Sequence, residues 1–535
     1  MALLCNLYIV ALLVALPLYT GEGYWQLGDA KYMLFRNLSL LCLGCWLAAG
    51  MPWRIGNLIA SGKRRNRSLE ERKVPFSMVD KAVLSYGACV TLSALCSSYG
   101  QLAWKGYEGW YMGALSQLLF VAIYFFVSRQ YDGAAWPVWL GEGALFLTTV
   151  LGLLHRLGLD PLGLMKGWNS GDWEYSHMLS TLGNINWLCG YYSVALAVLA
   201  VHFLGEERRS ILLLLYMTMV SVFVLLGVQG SQSGWLLLAA CTGCCLFLGR
   251  GRREVEKRIC VLLTLFFLGM PLMEFMMKLQ GKKAAFVADG NIFDDIKWYM
   301  WIIGAGGCLA LFFYLSRGGP AAKKQNGIFR IILWKIRRKS RKQKTVLVAA
   351  SCIVVLAGIL LGYILFTRSV FDGFGSGRGF LWRISLKGFV QADGKDKLLG
   401  AGPDCYAEAV FNRLGAGNEV WKGEHWEGAV FTNAHSEFLT QLCNVGILGT
   451  LSYLAIFVTG LCRYGGLLDR HSRGGWLGVM VLVMYGAHSL ISFQQVLNTP
   501  LLFLVLGLCE AGMRRREMQN PQKQGDAQAG KRAKE

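Results

Sequence analysis

The chain has 535 residues, of which 54% are hydrophobic and 16% charged, and its mean hydropathy is +0.40. Apolar runs this long and this often repeated exclude an ordinary soluble domain, and their uniformity excludes a closed barrel, whose strands would be short and alternating. The formal net charge of +21 is compatible with a nucleic-acid or a membrane-surface partner, and its placement along the chain decides between them.

In chain order, about fourteen runs are long and apolar enough to cross a hydrocarbon core as helices: 3–19, 33–50, 82–100, 109–128, 134–154, 180–203, 211–229, 235–249, 259–277, 297–315, 345–367, 443–462, 475–492 and 498–513. The reading is all-α and polytopic. It divides into N-terminal spans (1–179), central spans (180–367), one long polar excursion (368–442), C-terminal spans (443–513) and a disordered basic tail (514–535). The first run lacks a basic n-region and a small-residue cleavage site, so it reads as a retained span.

The basic residues fall in alternate loops: Lys63 to Arg67, Arg250 to Arg253, Arg337 to Lys342 and Arg514 to Arg516. That alternation is an orientation signal with anionic-lipid contacts rather than a nucleic-acid site. It places both termini in the cytoplasm, the protein in the cytoplasmic membrane as a multi-pass chain, and the 368–442 excursion outside. Most of the 16 cysteines, including Cys42, Cys45, Cys244 and Cys245, sit in predicted spans as small apolar fillers. Cys405 and Cys443 are the two that extracytoplasmic chemistry could oxidise.

Loop 155–179 carries Trp168, Asp172, Trp173, Glu174 and His177, a mixture usual at a membrane interface. Asn184 and Asn186 follow at the entrance to a span, where two amides either brace neighbouring helices or face a polar cavity. Loop 278–296 holds Asp294 and Asp295, two carboxylates with no third ligand near in sequence, which reads as solvated charge rather than a metal site. Within spans, Arg36, Glu142, Glu274 and His488 are ionisable residues in costly positions.

The long excursion concentrates the chemistry. After the glycines at 373, 375, 377 and 379, which read as hinge material, Phe380, Leu381, Ile384 and Phe389 form one helical stripe, predicting an amphipathic helix at the membrane surface. Arg378 at its start suits a lipid phosphate that a planar fork can grip, or else a headgroup contact or salt bridge. Gly400 to Pro403 is a tight turn expected to expose backbone amides, although no phosphate loop occurs in the chain. Asn433 reads as an N-cap that puts His435 in the first turn of the next helix, whose positive end keeps the imidazole neutral, as a general base requires. Glu437, two residues on, points away from it as a dipole partner or cap.

The ordered series TLGNINWLCGYY, SGRGFLW, LLGAGPDCY, NAHSEFLTQLCNVGILG and AHSLISFQQVLNTPLLFLVLGL resembles the O-antigen ligase and O-antigen polymerase superfamily over roughly residues 180 to 510. The resemblance implies a membrane glycosyltransferase that moves a glycan from a polyprenyl-diphosphate donor to the hydroxyl of a glycan or lipid-glycan acceptor, with membrane lipids and polysaccharide export or assembly proteins as further partners. It implies no cofactor, no metal and no nucleic acid. His435 and Arg378 would be catalytic, as acceptor-side base and as neutraliser of the departing diphosphate. Arg383, Asn184, Asn186, Gly400, Gly402 and Glu437 would bind substrate. Where the family carries an Arg in an S-R-G turn, this chain reads SQSGW, with Gln232 and Ser233, so that either Arg368, Arg383 or Arg413 substitutes or the substrate differs. A lipid-linked oligosaccharide flippase is the alternative, since many spans with scattered intramembrane charge suit a transporter as well.

Overall fold

The computed structural model describes residues 1–60, 75–169, 172–281, 296–317, 372–415, 430–468 and 472–519. The expected span 345–367, Arg368, the Asp294 and Asp295 pair, the basic clusters at 63–67 and 337–342 and the tail beyond 519 lie outside the described residues.

The chain is helical almost throughout. In order, the helices are α1 (Ala2–Leu18), α2 (Leu27–Ala60), α3 (Met78–Cys96), α4 (Gln101–Lys105), α5 (Ala114–Gln130), α6 (Trp136–Arg156), α7 (Trp173–His177), α8 (Ile185–Gly205), α9 (Arg209–Val228), α10 (Gln232–Gly249), α11 (Arg253–Gln280) and α12 (Trp298–Ser316). After the gap follow α13 (Arg378–Val390), α14 (Gly394–Leu399), α15 (Tyr406–Leu414), α16 (Glu437–Gly465), α17 (Arg473–Ile491) and α18 (Thr499–Gln519). Among the described residues, 10 helices are long and apolar enough to cross a membrane, and α1 and α5 are shorter apolar helices. The chain is therefore a multi-pass, all-α membrane protein. The strand content described is one two-residue antiparallel pair, Met178 against Asn184 and Leu179 against Gly183.

Local sequence sets the helix ends. Ser77 and Asp80 form a reciprocal capping box at the start of α3, with Asp80 N–H to Ser77 Oγ at 3.1 Å and Ser77 N–H to Asp80 Oδ2 at 2.7 Å. Asn184, Ser231 and Ser472 cap α8, α10 and α17 by accepting one backbone N–H each. Leu3, Leu7, Leu41, Leu213, Leu272 and Ile303 point outward from their helices, as lipid-facing side chains do, whereas Leu501 to Leu506 of α18 are buried all round. α18 is thus a central helix, packed on α5 and carrying Phe503 against Tyr86 and Phe120. Where α18 ends, Asp80 gathers the Tyr124 hydroxyl at 2.8 Å, Arg129 at 3.4 Å and Arg514, which gives that buried carboxylate charged and neutral donors together.

The amphipathic helix of the excursion is α13, and its apolar stripe has a different destination from the one its sequence suggests. Phe380, Leu381 and Ile384 pack on Tyr406, Val410 and Leu414 of α15 and on Cys443 of α16, so the stripe is covered by protein rather than laid on lipid. Arg378 to Leu414 and the start of α16 form a small helical cap over one end of the bundle. Cys405 and Cys443 are both buried free thiols and are not bonded to each other.

Candidate functional site

A cavity of about 410 Å³ lies at this end of the bundle, within the roughly 300–1,000 Å³ range of small-molecule sites. Asn186, Ser231, Gln232, Arg378 and His435 line it, with His177 and Trp173 at one side. Four segments far apart in sequence therefore converge on one space.

Arg378 is positioned by the glycines before it. Gly375, Ser376 and Gly377 take φ values of 63°, 60° and 86°, a left-handed run that curls the chain into α13 and is natural for glycine at its first and third positions. The Gly375 carbonyl then accepts from Arg378 Nη1 at 2.6 Å, and the Ile491 carbonyl at the end of α17 accepts from Nε at 3.0 Å. Both partners are neutral. No carboxylate pairs with Arg378 among the described residues, although only 8% of the residue is exposed. A buried guanidinium held by carbonyls alone is an anion site in waiting, because an uncompensated buried charge is costly until a counter-charge arrives. Three residues before Ile491, fully buried His488 leaves both ring nitrogens without a hydrogen-bond partner, so this intramembrane histidine lies beneath the same corner.

His435 is not in the helix that follows it. α16 begins at Glu437 with Ser436 as its N-cap, and His435 stands one residue earlier at φ 46°. Asn433 does serve it, since its Oδ1 accepts from the His435 backbone N–H at 3.0 Å, but as a local turn rather than as the helix cap the sequence suggests. The imidazole packs edge-on against Phe493, with ring centres 5.0 Å apart, and its Nδ1 is buried without a partner. Burial, with the Arg378 charge added to it, holds the imidazole down at about 3. The ring is neutral for the reason of burial beside a cation, not because of the helix dipole.

The two asparagines divide the roles that the sequence left open. Asn184 caps α8, accepting from Asn186 N–H at 2.8 Å, whereas Asn186 lines the cavity and accepts from the Ser231 hydroxyl at 2.8 Å. The turn at 231–233, where the family pattern has an arginine, thus reaches the cavity with Gln232. Of the proposed arginine substitutes, the two among the described residues, Arg383 and Arg413, are both engaged elsewhere. Arg383 is buried against Asp372, with Nε to Oδ1 at 2.7 Å and Nη2 on Oδ2, and stacks over Phe380. Arg413 holds Asp396 at 2.6 Å. Arg383→Ala is accordingly expected to destabilise the cap by about 3–5 kcal/mol by stranding Asp372, and the double change with Asp372→Ala to recover most of it, as read by thermal unfolding of the purified protein.

Gly400 and Gly402 do not offer amides to a ligand. The Gly400, Ala401 and Gly402 N–H groups donate to the carbonyls of Asp396, Cys443 and Asn444 at 2.8, 3.0 and 2.8 Å. Those carbonyls of α16 are available because Gly446 breaks the helix with φ 66° and ψ −169°. Glu437 likewise lies away from the cavity: fully buried, it accepts from the hydroxyls of Tyr453, Ser489 at 2.9 Å and Tyr485 at 3.3 Å, and so ties the head of α16 to α17. Both motifs support the site rather than line it.

Sequence reasoning missed Arg156. At the end of α6 it is fully buried and donates to the carbonyls of Ser176, at 2.9 Å, and Gln229. Beside it His155 Nδ1 accepts from the Ser180 N–H at 3.0 Å. This pair fixes the two loops that carry His177 and Ser231 into the cavity wall. A lone basic pair at the end of an apolar run carries no sequence signal that separates it from a topology signal.

Fold and site together define a polytopic α-helical membrane protein with a polar cavity beneath a helical cap, walled by a neutral histidine and a buried arginine that has no carboxylate partner among the described residues. No family model matches the chain, and no curated protein is found to be similar to it.

Proposed function

We propose that the protein is a membrane glycosyltransferase that moves a glycan from a polyprenyl-diphosphate carrier to an acceptor hydroxyl, as a polysaccharide polymerase or ligase working on the extracytoplasmic face. The observation that carries the reading is the pairing, on one cavity wall, of the buried guanidinium of Arg378 with the neutral imidazole of His435. The acceptor oxygen attacks the anomeric carbon, the bond from that carbon to the diphosphate oxygen breaks, and its electron pair leaves with the diphosphate. His435 takes the hydroxyl proton. Arg378 meets the charge that develops on the leaving group, its Nη2 taking no part in the two bonds that hold the side chain. Asn186, Ser231 and Gln232 supply hydrogen-bonding groups suited to sugar hydroxyls. The sequence resemblance points the same way.

One observation favours a flippase: a second cavity, described below, stands at the opposite end of α8. Incubating the purified chain with a lipid-linked oligosaccharide separates the two. A transferase liberates polyprenyl diphosphate, and a flippase returns the donor intact.

A further inference from the structure

The largest cavity described, about 660 Å³, lies at the other end of the helices that frame the first. Asn184 and Gly205 bound the two ends of α8, roughly 30 Å apart for 21 residues. Four arginines line this second space: Arg208, Arg473, Arg515 and Arg516. Arg208 is committed to Glu206, at 3.1 Å. The others hold only neutral acceptors: Arg473 the Gly205 carbonyl at 2.5 Å, Arg515 the Tyr131 carbonyl at 2.6 Å, and Arg516 the Ser472 hydroxyl.

The carboxylates present are already satisfied. Glu142 takes His202 Nδ1 at 2.9 Å. Glu206 takes Arg208 and the N–H groups of residues 207 and 208 at 2.9 Å, and these bonds hold its carboxyl well below the usual carboxylate range. Asp132, which acts on Arg515 from a distance, is bonded to Asn6 at 3.2 Å and to the Ala134 N–H at 3.0 Å. Among the described residues, three guanidinium charges are left facing the space without a paired anion.

Part of the remaining wall, beside Trp139 and the Glu142 and His202 pair, is aliphatic and lies deeper. Val198 and Val201 are four to seven residues up α8 from Gly205, and Leu508 is seven residues before Arg515 on α18, so they stand about 6–11 Å further into the bundle than the arginine rim. A free inorganic anion would use the rim and leave this wall empty. We propose that the cavity is a binding site for a phosphate-headed membrane lipid, with the phosphate on Arg473, Arg515 and Arg516 and the first part of an acyl or prenyl chain along Val198, Val201 and Leu508. Guanidinium forks match phosphate geometry, and an anionic lipid surface concentrates such ligands at basic helix ends.

The test uses the full chain purified in a neutral detergent and radiolabelled dioleoylphosphatidic acid. Saturable binding is expected. It should weaken about tenfold or more in the Arg473→Gln/Arg516→Gln double variant, whose side chains are exposed, with an unfolding temperature near that of the wild type as the check that the fold is kept. Val198→Trp, which fills the aliphatic wall, should also abolish it while the unfolding temperature stays near that of the wild type. Displacement by excess inorganic phosphate, with Val198→Trp still binding, would replace the lipid with a free anion. Equal binding of dioleoylglycerol, or binding unchanged in the arginine variant, would overturn the proposal.

Discussion

His435→Ala is expected to lower glycan transfer by roughly 100- to 10,000-fold while leaving the protein folded, because a positioned base contributes about that much and this side chain makes no hydrogen bond that the fold requires. The pH dependence carries the same claim. An ordinary imidazole, with a pKa of about 6.5, is mostly protonated at pH 5.5 and could not accept a proton there. In the folded protein burial holds His435 down at about 3, so kcat/KM, which reports the free enzyme, should keep its activity well below the usual histidine limb. The sign for stability is opposite to that of a stabilising ion pair. Between pH 6.5 and 3 the unfolded chain binds a proton at this position and the folded chain does not, so His435 leaves stability unaffected above about pH 6.5 and subtracts from it progressively as pH falls. His435→Gln should therefore flatten the acid side of the stability profile and abolish transfer. An activity limb near pH 6.5 that shifts with neither His435 nor Arg378 variants would point to a different base.

Gly400→Ala is expected to be the most damaging single methyl group in the protein. A Cβ at this position would stand 2.2 Å from the Asn444 carbonyl oxygen, and the residue has φ +81°. Backbone cannot retreat as a side-chain tip can, so crowding and left-handed strain combine to cost about 2–5 kcal/mol. Gly446→Ala should behave alike, since its Cβ would meet the Gly400 nitrogen at 2.5 Å from the other side at φ +66°. The two glycines are one joint, which seats the 398–406 turn on the kink of α16 eleven residues beyond His435. The expected phenotype is a lowered unfolding temperature together with lost transfer. Protein that unfolds normally yet fails in transfer would show that the turn's amides serve a ligand after all.

The helical architecture was legible because each span is long, uniformly apolar and bounded by polar loops. α10 forms at the expected place and is apolar enough to cross a membrane, whereas α18 forms as a helix but is not among the 10 that are. The site was legible in part. Arg378 and His435 drew notice as polar residues in an apolar chain, and the structure brings them to one cavity with Asn186. What local sequence could not show is where a charge finds its partner. Arg383 resembles Arg378 from its neighbours alone, and only Asp372, brought back 11 residues earlier in the chain, makes it structural. The 400–402 segment reads as an open turn because the acceptors of Ala401 and Gly402, the carbonyls of Cys443 and Asn444, lie some 40 residues away and are freed by a helix break at Gly446. The apolar stripe of α13 fits a bilayer as well as it fits α15, since periodicity records that a face is covered and not by what. Arg156 escaped because tertiary contact alone separates a buried loop staple from an orientation signal.

The central claim, that the Arg378 and His435 wall transfers a glycan from a polyprenyl diphosphate, is tested most directly by measuring polyprenyl diphosphate released from a purified lipid-linked oligosaccharide and its acceptor. Wild type, His435→Ala and Arg378→Ala are compared in EDTA. The account predicts release by the wild type in chelator and a fall of at least about 100-fold in both variants, each with an unchanged unfolding temperature. Wild-type protein that binds or flips the lipid but releases no diphosphate, or variants that release it at the wild-type rate, would contradict it.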